Sequence, residues 1–303
     1  MPRLIFTTIC LFWGTSYILM KTAKQVFNAQ QISIGRLICG FVALLAIWLF
    51  FSRTRSFNTK DVFTIALFAP FAQAIPFTLQ PYLMGSFDSN FIGTMVCLVP
   101  LLTILVSIPM LKTKPSRNEL LGVMGGLACM AWLFYDKIKD GASFKLILLA
   151  AITPTCFAYS NTFVKKKLTH ISSIEMSAIS SLFSIFYLLL WTSLFAPLPK
   201  IPYQQQGFSL SLAALLILGF ACTGFANFIY YKLIHLKGPL YAGMVTYLIP
   251  IIAMFWGYLD GEIIKPMQFI PIAGCLLMIG LVQSSKSSKV RVIPQPTEPI
   301  ESA

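Results

Sequence analysis

Charged side chains are scarce in this chain. Only 11% of its 303 residues are charged, whereas 57% are hydrophobic, and a soluble domain carries about 25% charged residues. Apolar runs near twenty residues recur, each long enough to cross a hydrocarbon core of about 30 Å as a helix. Runs such as 43–51 are continuously apolar and do not alternate, which excludes a β-barrel. The composition predicts an all-α, multi-pass membrane protein.

Metal-ligating and catalytic patterns are also missing. There are two histidines and seven cysteines, the cysteines lie in apolar runs, and no CxxC pair occurs. We therefore expect no metal and no cofactor, and interpret the cysteines as small buried hydrophobes. No HExxH, GxSxG or GxGD-type pattern supports an intramembrane enzyme, so catalytic residues are not expected. A channel or scaffold would need a filter sequence or a large folded loop, and neither is present.

Acidic residues are few as well. Of the ten, only Glu175 lies just inside a predicted span, and the others lie at boundaries, in loops or in the tail. Proton-coupled carriers commonly place a carboxylate or histidine deep in the membrane. The sequence therefore favours gradient-driven exchange or uniport, or coupling through the substrate's own charge.

Ten membrane spans follow from the apolar runs between charged residues and Pro, Gly or Asn. The third and eighth are the weakest, because they contain Pro76 or several polar and glycine residues, and we expect them to be kinked helices lining a cavity. The predicted spans are 4–20, 31–51, 62–82, 90–110, 118–135, 145–164, 174–195, 209–231, 239–259 and 266–283.

Basic residues predict the orientation. With both termini cytoplasmic, the loops on the inner side hold roughly twice as many Lys and Arg residues as those outside. The formal charge of +13 is thereby explained by topology, and no nucleic-acid partner is expected. We expect a multi-pass protein of a bacterial inner membrane.

The chain repeats itself at a distance of 150 residues, since Gly93, Leu98 and Pro100 recur as Gly243, Leu248 and Pro250. Five spans per copy is an odd number, so the second copy must cross the membrane in the opposite sense. We predict two inverted five-helix repeats, residues 1–136 and 137–283, and a disordered cytoplasmic tail, 284–303. Inverted repeats are the common plan of secondary transporters.

Several features together resemble the EamA branch of the drug/metabolite transporter superfamily. They are Trp13-Gly-Thr-Ser-Tyr17, Arg36, the paired spans containing Gly93/Pro100 and Gly243/Pro250, and Gly261-Glu262. The resemblance covers the whole chain and implies a ten-helix secondary transporter with a cavity between its two repeats. It also implies a metabolite substrate, often an exported amino acid. Lys112 departs from the pattern, because the first repeat often has a glutamate where Glu262 stands in the second.

Candidate cavity residues are polar or aromatic side chains that share helix faces inside spans, since lipid offers them no partner. Arg36 is the clearest, as a guanidinium suited to a substrate carboxylate; the alternatives are snorkelling to the helix end, or pairing with a helix C-terminus and interhelical carbonyls. For the polar residues the alternative is hydrogen bonding between helices, and for the tyrosines it is aromatic packing. The candidates are Trp13, Ser16, Tyr17, Arg36, Gln73, Phe77, Gln80, Tyr159, Asn227, Tyr231 and Tyr247.

The sequence thus predicts a transporter of a small polar metabolite in a lipid bilayer. We expect an amino acid or related amine-bearing compound, with export favoured and alternating access between the repeats. Uptake or exchange of a nucleotide-like or methyl-donor metabolite such as S-adenosylmethionine, and multidrug efflux, stay open. Small-residue sites around Gly122, Gly125 and Gly126, and at Gly274 and Gly280, predict helix packing within a repeat or a homodimer contact.

Overall fold

The computed structural model describes residues 2–51, 58–262 and 269–284, and ten helices account for most of these residues. The first half contains α1 (Pro2–Ala23), α2 (Ala29–Phe51), α3 (Thr59–Leu83), α4 (Ser89–Leu111) and α5 (Arg117–Lys139). The second half contains α6 (Phe144–Lys167), α7 (Ser173–Phe195), α8 (Phe208–Lys237), α9 (Tyr241–Leu259) and α10 (Phe269–Ser284).

The first nine helices are long and apolar enough to cross a membrane, and α10 is a shorter apolar helix. No strand occurs in the described ranges. Large hydrophobic side chains such as Phe50, Met124 and Phe195 are exposed on the outside of the bundle, where a membrane protein meets lipid. The prediction of an all-α multi-pass membrane fold is confirmed.

Helix boundaries agree with the predicted spans to within a few residues for most helices. The eighth is longer than predicted and continues to Lys237. The fifth continues to Lys139, so the predicted division after residue 136 falls within its last turn. The predicted disordered tail lies almost entirely outside the described residues.

Two π-helical stretches interrupt α3 and α8, the two spans that contain Pro76 or several polar and glycine residues. Residues Pro70–Ala74 are π-helical in α3, and Leu218–Phe225 are π-helical in α8. A π-helical turn widens the helix and is frequent at functional sites. In α8 the hydroxyl of Thr223 donates to the carbonyl of Leu218 at 2.9 Å. The irregularities expected in α3 and α8 are therefore short stretches in which the helix changes from α to π.

Glycine lets α2 and α8 approach each other at this π-helical stretch. A Cβ atom on Gly224 would lie 2.6 Å from the carbonyl oxygen of Gly40, closer than two such atoms can come. The α2–α8 contact joins the first half of the chain to the second, and it brings Thr223 beside the middle of α2.

The duplicated helices α4 and α9 run in opposite directions. A Cβ atom on Gly257 would lie 3.7 Å from Cβ of Asn90, so the end of α9 lies beside the start of α4. One turn further along, a Cβ atom on Gly93 would meet Cβ of Ala253 at 2.8 Å. The equivalent helices of the two halves thus cross antiparallel, as inverted repeats require.

Candidate functional site

A small cavity lies inside the bundle, between α1, α2, α3, α4, α6, α8 and α9. Its volume is about 30 Å³, which is the share of liquid occupied by one water molecule. A typical small-molecule site measures about 300–1,000 Å³, so this conformation holds the cavity nearly closed. The lining residues are Trp13, Ser16, Tyr17, Arg36, Phe77, Gln80, Val96, Val99, Phe157, Tyr230, Thr246 and Ile249.

Equivalent positions of the two halves meet across this cavity. Helices α2 and α7 begin 144 residues apart, at Ala29 and Ser173, and the same distance relates Trp13 to Phe157. The distance of 150 residues seen in the sequence relates three further lining pairs. These pairs are Gln80 and Tyr230, Val96 and Thr246, and Val99 and Ile249. The cavity is therefore formed at the junction of the duplicated halves.

Arg36 is the only charged residue among those that line the cavity, and it is 1% exposed. Its Nε donates to Thr223 Oγ1 at 3.0 Å, and one terminal nitrogen lies 3.4 Å from Met20 Sδ. The guanidinium carbon lies 4.0 Å from the centre of the Phe77 ring. Because the side chain stays inside the bundle, the alternative of snorkelling to the helix end is wrong.

Every partner of this guanidinium is electrically neutral. Among the described residues, no carboxylate lies within 4.0 Å of Arg36, and the ion pairs found there all involve other cations. A buried cation without a counter-ion is costly, and π-electron and sulfur contacts offset only part of that cost. The cavity therefore carries an uncompensated positive charge.

Aromatic rings form another part of the cavity wall. Trp13 donates its indole N–H to the carbonyl of Cys222 at 3.0 Å, within the π-helical stretch of α8. The ring centres of Trp13 and Tyr230 are 4.6 Å apart, and the Tyr230 hydroxyl donates to Asn161 Oδ1 at 2.8 Å. Since both polar groups are satisfied by protein, these rings are held in fixed orientations.

Six of the eleven predicted site residues line the cavity: Trp13, Ser16, Tyr17, Arg36, Phe77 and Gln80. Five do not. Tyr159 packs edge-to-face against Phe71, with ring centres 5.2 Å apart. Tyr247, Tyr231 and Asn227 are buried in the bundle outside the lining.

Gln73, the fifth of these residues, belongs to a hydrogen-bond network between helices. Its Nε2 donates to Ser180 Oγ at 2.9 Å, and Ser181 Oγ donates to its Oε1 at 2.9 Å. By the two repeat distances, Gln73 is the counterpart of Thr223, and Ser180 is the counterpart of Arg36. The same contact thus occurs twice in the bundle. Between α2 and α8 it is made by a charged side chain, Arg36 with Thr223, and between α3 and α7 by two neutral side chains, Gln73 with Ser180.

Six lining residues were not among the predicted candidates: Val96, Val99, Phe157, Tyr230, Thr246 and Ile249. An apolar side chain inside a membrane span does not indicate whether it faces the cavity, a neighbouring helix or lipid. The repeat distances do indicate a cavity position, because they relate Phe157 to Trp13 and Tyr230 to Gln80.

A larger groove, of about 560 Å³, lies between α3 and α7. Its lining contains no charged residue, and Trp191, Leu194 and Phe195 at its rim are exposed. Side chains of this kind at membrane depth face lipid, so the groove lacks the convergent polar groups of a metabolite site.

The bundle and its central cavity define a multi-pass membrane protein built around a site between duplicated halves. The chain belongs to the EamA-like transporter family, whose model matches residues 3–135 and again residues 144–284. It is a transporter, and the resemblance seen in the sequence is confirmed.

Two bacterial relatives are also named as transporters. The chain is 24% identical over 259 residues to the uncharacterized transporter YoaV of Bacillus subtilis, covering 84% of this chain and 86% of that protein. It is 23% identical over 285 residues to an uncharacterized transporter of Buchnera aphidicola from Schizaphis graminum, covering 92% and 93%. A solved protein structure shares the fold, with a TM-score of 0.69, 16% identity and coverage of 93% and 96% of the two chains.

Proposed function

We propose that the chain is a secondary transporter of a small carboxylate-bearing metabolite, with an amino acid as the best fit. The observation that carries this proposal is Arg36, a buried guanidinium at the cavity without a carboxylate partner among the described residues. A substrate carboxylate would supply the missing counter-ion, and the planar fork of arginine suits it. The binding role of the other lining residues is part of the same proposal.

The remaining lining residues suit the rest of an amino acid. Faces of Trp13 and Tyr230 attract an ammonium group or an apolar side chain, and Gln80 and Thr246 offer neutral hydrogen-bonding groups. No carboxylate lines the cavity, so a cation that lacks a carboxylate would be repelled by Arg36 and would find only ring faces, and no counter-charge, to offset that repulsion. The charge of Arg36 therefore favours zwitterions and anions over cationic drugs that lack a carboxylate.

The near-closed cavity fits an occluded step of alternating access. A metabolite needs more room than about 30 Å³, so the two halves must separate at one membrane face and then at the other. We propose that the termini are cytoplasmic and that the membrane is a bacterial inner membrane, as the distribution of basic residues supports. Export is the favoured direction.

Counterflow in proteoliposomes tests the proposal. Purified protein is reconstituted with a trapped amino acid, and uptake of labelled amino acids, nucleotides and cationic drugs is compared. We expect exchange of carboxylate-bearing zwitterions and none of cations that lack a carboxylate. Arg36→Gln should abolish exchange, whereas Arg117→Gln, the same change at an exposed arginine, should not. Exchange of cationic drugs alone would overturn the proposed substrate class.

A further inference from the structure

A cluster of charged and polar groups joins α1, α4 and α9 at the end of the bundle where α1 ends. We call Lys21, Ser89, Asp260 and Glu262 the latch. The Glu262 carboxylate accepts from Lys21 Nζ at 2.9 Å, from the Ser89 hydroxyl at 2.7 Å and from the Ser89 backbone N–H at 3.2 Å. Lys21 also pairs with Asp260 at 2.5 Å. Although Glu262 follows the end of α9, its side chain is only 5% exposed.

The latch connects the two halves of the duplication. Lys21 and Ser89 belong to the first half and Glu262 to the second. It holds the start of α4 against the end of α9, the two antiparallel helices that also line the cavity through Val96 and Thr246. The latch therefore ties together, at this end of the bundle, two of the helices that line the cavity.

At the opposite end of the bundle, the described residues do not include an equivalent set of groups. At the repeat distance of 150 residues, Ser89 corresponds to Pro239, which has no N–H and no hydroxyl, and Glu262 corresponds to Lys112. The other ion pair that joins the halves, His170 with Asp61 at 3.0 Å, connects α3 to the segment before α7. It does not touch α4 or α9. Within the described residues, charge therefore holds α4 to α9 at one end only.

We infer that the latch is a gate that must open in each transport cycle and that makes the closed state of this end the resting state. The inference rests on the proposed transport function. With cytoplasmic termini, the latched end is exterior, so the resting carrier is closed to the outside and opens first to the cytoplasm. Capture of solute from the cytoplasm is the first step of export, the direction proposed above.

A reversible cross-link tests whether the latch must open. Asn90→Cys with Gly257→Cys places two Cβ atoms about as far apart as in a disulfide, because a Cβ on Gly257 would lie 3.7 Å from that of Asn90. A Cβ on Gly257 would also lie 2.7 Å from Glu262 Oε2, so the substitution displaces that carboxylate and the disulfide replaces the latch. Oxidation should abolish counterflow, and a reductant should restore it.

The control uses the seam between α5 and α10, which also joins the two halves. A Cβ on Gly274 would lie 3.7 Å from Cβ of Cys129, so Gly274→Cys forms a matched disulfide with a native cysteine, away from the latch. We expect exchange to continue with this cross-link in place. Unchanged counterflow with the Asn90–Gly257 positions fully cross-linked would overturn the inference.

A second measurement needs no substrate, so it separates failure of the gate from failure of the proposed function. Thr246→Cys, in a chain whose native cysteines are replaced, reports access to the cavity through a membrane-impermeant thiol reagent. Adding Glu262→Gln should raise the rate of labelling from the latched side at least tenfold, because the carboxylate then loses its charge-assisted hydrogen bonds. Equal labelling rates with Glu262 and with Gln at that position would contradict a gating role even if no solute is found.

Discussion

Replacing Arg36 by methionine separates a binding role from a structural role. Methionine is unbranched and apolar, so it fills much of the same space beside Met20 and Phe77 while removing the charge. The guanidinium contacts only neutral groups, through a hydrogen bond to Thr223 and a ring contact with Phe77. Loss of these contacts leaves no carboxylate unpaired among the described residues.

The magnitudes point in opposite directions for stability and for transport. The lost hydrogen bond and ring contact are worth roughly 2–5 kcal/mol together, and relief from burying an unpaired charge is of similar size. The melting temperature should therefore be unchanged or a few degrees higher. A bidentate contact to a substrate carboxylate is worth about 3 kcal/mol or more, so the half-saturation concentration should rise at least about a hundredfold.

Two assays on the same preparation decide the matter. Thermal unfolding of the purified protein gives the stability, and concentration-dependent counterflow in proteoliposomes gives the half-saturation concentration. Arg36→Lys serves as an intermediate, since it keeps the charge but loses the planar fork. A large fall in melting temperature, or an unchanged half-saturation concentration for a carboxylate-bearing solute, would refute the reasoning about Arg36.

Three further predictions follow from other contacts. Gln73→Leu removes the acceptor of the buried Ser181 hydroxyl and a donor to Ser180, whose own hydroxyl still donates to the carbonyl of Ser177. Thermal unfolding should therefore show a loss of about 1–3 kcal/mol, with an unchanged half-saturation concentration in counterflow because Gln73 does not line the cavity. Gly224→Ala places a methyl group 2.6 Å from the carbonyl oxygen of Gly40, so the yield of monodisperse protein in size-exclusion chromatography should fall, whereas Gly280→Ala, where nothing lies within 4 Å, should behave as wild type. Burial opposes ionisation of Glu262, but hydrogen bonds from Lys21 and Ser89 outweigh it and hold the pKa of Glu262 below its ordinary value. The other charged groups of the latch are Lys21 and Asp260. The latch is therefore fully formed above the ordinary pKa of about 4.3, and it weakens only as pH falls through the lowered pKa. The thiolate fraction, and with it the labelling rate of Thr246→Cys, rises with pH in any background, so the quantity to compare is the ratio of the rates from the latched side with and without Glu262→Gln. This ratio should stay constant between about pH 5 and 8, and a change within that range would contradict this assignment.

The helices themselves could be predicted because bilayer thickness dictates their length and the sequence marks their starts. Asn58 and Ser116, for example, cap α3 and α5 through reciprocal hydrogen bonds with Asp61 and Glu119. The π-helical stretches could not be predicted in this way. The proline, glycine and polar residues of α3 and α8 indicate that these helices are irregular, but the helix type, and the close approach of Gly224 to Gly40 in α8, are seen only in the packed bundle.

The candidate site was predictable only in part, for a related reason. Gln73 and Gln80 lie two turns apart on one face of α3, and lipid offers neither side chain a hydrogen-bonding partner, so the sequence predicts the same inward position for both. Only the packed bundle decides that Gln73 bonds to Ser180 while Gln80 lines the cavity. Glu262 likewise reads as a loop residue in the sequence, because its partner Ser89 is 173 residues away and meets it through the antiparallel pairing of α4 and α9.

The most direct test of the account is whether the central cavity opens to both membrane faces in turn. Thr246→Cys in a chain without its native cysteines can be treated with a membrane-impermeant thiol reagent in right-side-out and in inside-out vesicles. Alternating access predicts that the thiol is labelled from both faces and that a transported carboxylate-bearing solute protects it from both. Labelling from one face only, under conditions where solute exchange proceeds, would contradict it.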